Sequence, residues 1–454
     1  MRPNSKSCRS SDAGWAFRAT NAQVFEALAR CEHGASLREY FGTQAHEELS
    51  GLAATARLAA AAGRRGRLKA RNRGSARHGS PRSAVLIVPG MMGSRLCEIS
   101  GRGAAKRPAR TNALWMDPLR IAAGDLGRLS LTRKSSHSIR PAGALLPAYA
   151  KLKLMLSIEG FEARYFAYDW RLGIDRIGAA LASKIRAGGK PVSLIAHSMG
   201  GLVARIAAKE LPKRLIKRLV LLGTPNQGAF APVLALRGTY PFVLRLSRLD
   251  LEHSPEDLAS AVFCTFPGLC QLLPAAPMAP QIDLLDPRSW PDSGPKPDAA
   301  LLGRVAEARA RMAAPDERMA HIVGVNRETV VSVCRTPAGF EYCSSRNGDG
   351  TVPVSLAMLP ALETYFADEG HGELANNPSV IAAIVALLRG EGGGGLPQRF
   401  TPSTEPLTRF DDAQLRCSAE VAKIDWRRLD SAQREAVLAE LDGGRPGTSA
   451  ESLA

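Results

Sequence analysis

The chain lacks any apolar run near the roughly 18 residues that a membrane-spanning helix needs. Its longest apolar stretches, such as the one around Ile381 to Leu388, read as core. It also lacks a secretory pattern: Arg2, Lys6 and Arg9 give a charged start, but no apolar segment follows. Its eight cysteines (Cys8, Cys31, Cys97, Cys264, Cys270, Cys334, Cys343 and Cys417) are scattered. No Cys/His cluster has metal-ligand spacing, and no internal repeat is present. These absences set expectations: no spanning helix, a cytoplasmic location with peripheral membrane association left open, reduced thiols, no metal and no cofactor.

What is present is a globular composition. The 454 residues are 45% hydrophobic and 23% charged, enough to bury a large core. The formal charge is +17, and residues 1–83 contribute +9 of it, with 15 Lys plus Arg against 6 Asp plus Glu. Two readings of that leader stand: an Arg-rich, partly helical or disordered segment, or a basic arm meeting an anionic surface. Its helical stretches at Asn21 to Arg30 and Ala45 to Ala61 are weak, so it is expected to pack loosely. A basic linker from Arg64 to Ser83 follows.

From residue 84 the pattern changes. Ala84 to Val88 is a continuous β-branched run ending at Pro89-Gly90, as expected of a strand covered on both faces. A helix over Leu145 to Leu156 leads to a strand over Ala163 to Ala167. A helix over Ile177 to Ala187 leads to a strand over Val192 to Ala196. A helix over Met199 to Leu211 leads to a strand over Leu219 to Leu222. That alternation predicts an α/β fold with a mostly parallel sheet and helices on both faces. It stops between Gly228 and Arg309, which reads as a lid insertion. Strands resume at His321 to Val325 and Thr329 to Val333, and a helix over Pro378 to Leu388 closes a domain spanning 84–390. Residues 391–454 read as a flexible glycine linker and a tail whose one amphipathic stretch, Ser431 to Leu441, is either a docking helix or mostly disordered.

Ala196-His197-Ser198-Met199-Gly200-Gly201 lies where a buried strand gives way to a helix. A nucleophile elbow requires that context, with small residues where strand and helix approach. A serine hydroxyl is weak until a base takes its proton, and elbow serines are followed by Asp or Glu and then His. Three histidines follow Ser198. His253 falls in the insertion and His321 at the start of a strand. His371 sits in the glycine-flanked loop Glu369-Gly370-His371-Gly372. Asn347-Gly348-Asp349-Gly350 offers the acid, and His371 is the one histidine after it. Asp368 and Glu373 are rivals too near His371 in sequence to reach its far nitrogen without folding back. Two main-chain donors are needed for the oxyanion: Met199, after the serine, and Met92 in the loop Pro89 to Ser94.

Together these motifs resemble the lecithin:cholesterol acyltransferase family, which includes phospholipid:diacylglycerol acyltransferases and related phospholipases. The similar stretches are VLIVPGMMGSRL (85–96), LWMDPL (114–119), YFAYDWRL (165–172), PVSLIAHSMGGLVAR (191–205), LGTPNQGA (222–229), FPGLCQLLP (266–274) and GDGTVP (348–353), then His371. The resemblance implies an α/β-hydrolase fold with a lid. It implies a serine acyl-enzyme, O-acyltransferase or lipase acting on lipid-like acyl esters, with the triad Ser198, Asp349 and His371 and oxyanion donors Met92 and Met199. It implies a lid whose Phe242, Leu244 and Leu246 border an acyl pocket, and a structural Asp169–Arg171 pair. Secreted members carry a disulfide-closed loop near their early tryptophan, whereas Cys97 here has no cysteine before Trp115. The same triad would also serve an esterase, a thioesterase or a polyester depolymerase. A non-enzymatic reading, a basic membrane- or nucleic-acid-binding module on a hydrolase scaffold, leaves an intact triad without purpose. The expected partners are therefore an acyl-ester substrate and an anionic membrane reached through the leader, with nucleic acid disfavoured.

Overall fold

The computed structural model describes residues 14–72, 83–99, 112–133, 138–275, 278–417 and 422–441. Six strands form the central sheet: β1 Ala84–Val88, β2 Glu162–Tyr165, β3 Val192–His197, β4 Ile216–Leu222, β5 Met319–Gly324 and β6 Glu363–Ala367. Their order is β6-β5-β4-β3-β1-β2, and every neighbouring pair is parallel. Each crossover carries helix, as parallel pairing demands. Helices Ile174–Gly188 and Met199–Glu210 cover one face through Ile177, Leu181, Leu202 and Ile206. Helices Leu146–Ile158 and Pro378–Arg389 cover the other through Leu152, Leu156, Ile381 and Ile384. Burial on both faces is why β3 and β5 are buried at all six positions each. The expected strands and helices of this core are present, with ends displaced by a few residues.

The flanking segments pack more closely than the sequence suggests. Helices Trp15–Arg18, Asn21–Arg30, Gly34–Phe41 and the first half of Thr43–Asn72 form a layer of their own. It buries Phe17, Val24, Leu28, Leu37 and Leu49 against Leu146, Ala150 and Leu154 of the helix beneath. A capping box between Thr20 and Gln23 opens the second helix, and the Arg95 guanidinium donates to the carbonyls of Phe17 and Ala19. The leader is thus a docked helical layer as far as its described side chains extend. The linker at 73–82 lies outside the described residues.

The tail also docks. Thr408–Asp411 adds an antiparallel strand to the hairpin Thr329–Thr336/Gly339–Ser345. Trp426 is buried, and Lys423 Nζ donates to the carbonyls of Ser247, Asp250 and His253 at 2.9, 2.7 and 2.6 Å. These contacts tie the tail to the lid, whose main helices are Ala231–Arg237, Pro241–Leu249 and Pro255–Ala261. Even the glycine linker is held, since a Cβ at Gly394 would lie 2.8 Å from Ala383 Cα. Among the described residues, no helix is long and apolar enough to cross a membrane. The seven described cysteines are all free thiols.

Candidate active site

The end of β3 turns straight into helix Met199–Glu210, and Ser198 occupies the turn at φ 55° and ψ −128°. That conformation is strained for a side-chain-bearing residue and persists only where its surroundings dictate it. The Ser198 N–H bonds the Leu222 carbonyl at 2.8 Å, which ties the turn to β4. Gly200 is required for the close approach: a Cβ there would meet the Pro89 carbonyl oxygen and lie 2.5 Å from that of Val88. Ser198 is 7% exposed.

His371 stands in the loop between β6 and the last core helix, with Nε2 2.9 Å from Ser198 Oγ and Nδ1 2.7 Å from Asp349 Oδ2. An ionised carboxylate only accepts, so Nδ1 carries the ring proton and a neutral His371 leaves Nε2 free to accept from the serine. Asp349 is buried at 2% exposure. Its Oδ1 accepts from the Thr351 and Val352 N–H groups at 3.0 and 2.7 Å. Its own carbonyl accepts from the His371 N–H at 2.8 Å, so the two loops are joined by main chain as well as side chain. The rivals are otherwise engaged: Asp368 pairs with Arg327, and Glu373 lies 3.4 Å from Asn376 Nδ2. His253 bonds Asp250 within the insertion. His321, on β5 beside Leu221 of β4, is fully buried and accepts from the Thr224 N–H at 3.2 Å.

The loop after β1 is held at several of its polar atoms. Tyr168 Oη donates to the Pro89 carbonyl at 2.5 Å, and the Gly90 N–H donates to Tyr149 Oη at 2.9 Å. Trp115 Nε1 donates to the Met92 carbonyl at 2.9 Å, and the Leu145 N–H to that of Gly93 at 2.9 Å. Met92 adopts φ 61°. Neither the Met92 nor the Met199 N–H has a partner among the described residues. The loop abuts the serine: a Cβ at Gly90 would lie 2.8 Å from Ser198 Cβ.

Residues of the insertion pack against this region. Tyr240 Oη lies 3.3 Å from Thr351 Oγ1, and the Phe242 ring lies 6.0 Å from that of Trp115. Of the three residues expected to border an acyl pocket, Phe242 and Leu244 are partly exposed. Leu246 is fully buried in the core on the inward face of its helix and so presents nothing to open space. Arg171 Nε and Nη2 hold the Asp169 carboxylate at 2.8 and 2.7 Å, while Nη1 donates to the Leu129 carbonyl, a structural clamp as expected. Sequence reasoning gave no role to Tyr149 or His197. The two lie 48 residues apart, and only the fold brings them together. Among the described residues no group of acidic, histidine and cysteine side chains could hold a metal ion.

Residues 146–339 match the alpha/beta hydrolase family. No curated protein matches the chain. Similar solved structures include the Tle4–Tli4 complex (12% identity, 68% of this chain, 98% of that one, TM-score 0.41). Another is the Bacillus licheniformis lipase BlEst2 in mature form (14% identity, 68% of this chain, 94% of that one, TM-score 0.34). With its six-stranded parallel sheet flanked by helices, this chain carries an α/β-hydrolase domain.

Proposed function

We propose that the protein is a serine acyl-enzyme that cleaves lipid-like carboxylic esters and passes the acyl group to water or an alcohol. One observation carries the reading: the unbroken line of hydrogen bonds from Ser198 Oγ through His371 to the buried Asp349. In the first step Ser198 Oγ attacks the ester carbonyl carbon while His371 Nε2 takes its proton. Asp349 holds the imidazole and stabilises the imidazolium. The tetrahedral oxyanion is received by the Met92 and Met199 N–H groups, and the N-terminus of helix Met199–Glu210 adds a favourable field. Collapse expels the alcohol, protonated by His371, and leaves an acyl ester on Ser198. An incoming water or alcohol then attacks the acyl carbon as His371 takes its proton; collapse breaks the Ser198 ester bond, returns that proton to Ser198 Oγ and releases the acid or the new ester.

A fluorophosphonate probe followed by peptide mass spectrometry should find the adduct on Ser198. Active protein that is labelled elsewhere, or not at all, overturns the reading. Incubation with acyl-labelled phospholipid, with and without an added long-chain alcohol, separates lipase from acyltransferase: free fatty acid in both marks the first, a new ester in the second marks the other. For the basic segment we propose contact with anionic membrane. Changing Arg64, Arg65, Arg67, Lys69 and Arg71 together to Gln should abolish salt-sensitive binding to anionic vesicles. Unchanged vesicle binding refutes that role.

A further inference from the structure

We infer that Tyr149 and His197 form a positioning pair that holds the oxyanion loop and the His371 main chain in one hydrogen-bonded unit; this rests on the serine acyl-enzyme reading. Both side chains are buried and lie behind the triad. His197 Nε2 is 3.0 Å from the His371 carbonyl, and His197 Nδ1 is 2.8 Å from Tyr149 Oη. Tyr149 Oη in turn receives the Gly90 N–H at 2.9 Å.

The protons follow from the chemistry of the partners. A carbonyl oxygen only accepts, so His197 Nε2 carries a hydrogen and donates to His371. Full burial lowers the His197 pKa to about 3, so the ring is neutral and its Nδ1 is bare. The Tyr149 hydroxyl must then donate to Nδ1, and its oxygen lone pairs remain for Gly90. Every bond thus runs one way: Gly90 N–H to Tyr149, Tyr149 O–H to His197, His197 Nε2–H to the His371 carbonyl. A chain so aligned polarises each link in the same sense.

The two ends are the two halves of the site. Gly90 belongs to the loop that presents Met92, and that loop touches the Ser198 side chain. His371 presents Nε2 to the same serine at 2.9 Å. The pair thus fixes the distance between base and oxyanion donors without meeting the reacting atoms. Tyr149 stands on the helix Leu146–Ile158, between the sheet on one side and the N-terminal helical layer on the other. Its position is therefore set by two packed interfaces.

The substitutions Tyr149→Phe and His197→Gln test this in the full-length protein, with a p-nitrophenyl ester as substrate. Phenylalanine keeps the ring and loses both hydroxyl bonds. Glutamine keeps a donor toward His371 and loses the Nδ1 acceptor. Each should lower kcat by about 10- to 100-fold with KM within twofold, the signature of displaced transition-state groups. Because both cut the same link, the double variant should lie within about threefold of the worse single one. Wild-type kcat in either single variant, or a double-variant loss equal to the product of the two, overturns the inference. If one variant fails to fold, the kcat and KM of the other decide. Fluorophosphonate labelling of the wild type separates the two levels: no adduct on Ser198 sinks the acyl-enzyme reading, whereas normal wild-type labelling with unimpaired variants sinks only the positioning pair.

Discussion

Substituting Asp412 tests whether the tail is structural. Its carboxylate is 1% exposed and accepts from Arg237 Nε and Nη2 at 3.0 and 2.9 Å, from Tyr342 Oη at 2.7 Å and from the Phe340 N–H at 3.4 Å. Arg237, on the lid helix Ala231–Arg237, is fully buried and also donates to the carbonyls of Ser293 and Pro295 at 2.8 and 2.7 Å. One carboxylate therefore joins lid, hairpin and tail. Asp412→Asn keeps an acceptor of the same shape but leaves the guanidinium buried without its counter-charge, a cost of about 3–5 kcal/mol. That is a large part of a typical domain stability of about 5–15 kcal/mol. The decisive comparison is the sign of a second change. Arg237→Met should destabilise the wild type but stabilise Asp412→Asn, because there it removes the charge that caused the penalty. Urea unfolding of the four proteins measures it. If Asp412→Asn costs under about 1 kcal/mol, or if Arg237→Met destabilises both backgrounds equally, the buried pair does not hold the tail as described.

Asp349→Asn should leave the fold and the melting temperature near wild type but lower kcat about 10⁴-fold, read in the same ester assay. A loss under tenfold would show that another acid orients His371. Gly200→Ala should fail to accumulate as soluble protein, since its Cβ would press on the carbonyl oxygens of Val88 and Pro89; a folded, active variant would refute that close approach. His197 and His321 are buried neutral, each lowered from 6.5 to about 3 by burial. The unfolded chain takes up both protons as pH falls through 6.5 and the folded chain does not until about 3. Stability should therefore fall across that window, by up to about 1.4 kcal/mol per pH unit for each ring. Urea midpoints at pH 7, 6 and 5 should decline, and His321→Gln should show a shallower decline; a flat wild-type profile contradicts the assignment.

The core was legible because its signals are local. Continuous β-branched runs announced β1 and β3, and the apolar helices between them announced the crossovers. Ser198 was found from its strand-turn-helix setting, and His371 by chain order after Asp349. The strand order β6-β5-β4-β3-β1-β2 was not legible, because it depends on which buried faces meet, not on any one segment. The helical layer at 15–62 was underestimated for a specific reason. It buries many small alanines, among them Ala16, Ala27, Ala53 and Ala56, which draw no strong apolar stripe. In the tail, the amphipathic stretch Ser431 to Leu441 hints at docking, but several contacts that tie the segment down are charged: Asp412 on Arg237, Lys423 on three carbonyls of the insertion, and Glu435 on the Thr43 N–H at 2.6 Å. A charged residue looks the same in sequence whether water or a buried partner receives it.

The same blindness explains why the residues around Ser198 divided as they did. The serine's strained turn costs about 1–3 kcal/mol, which the fold must offset around it. On the helix side the offset is steric: Gly200 lets the ends of β1 and the helix meet, and a glycine in an elbow announces itself in the sequence. On the strand side it is polar: His197 is tied to Tyr149, 48 residues earlier, and to the His371 carbonyl, 174 residues later. A glycine's contribution follows from what it lacks, so it can be read at its own position. A histidine's follows from what it meets, and at these separations the meeting exists only in the fold. The elbow could thus be located from its glycines, while the groups holding base and loop in register came to light only with their partners.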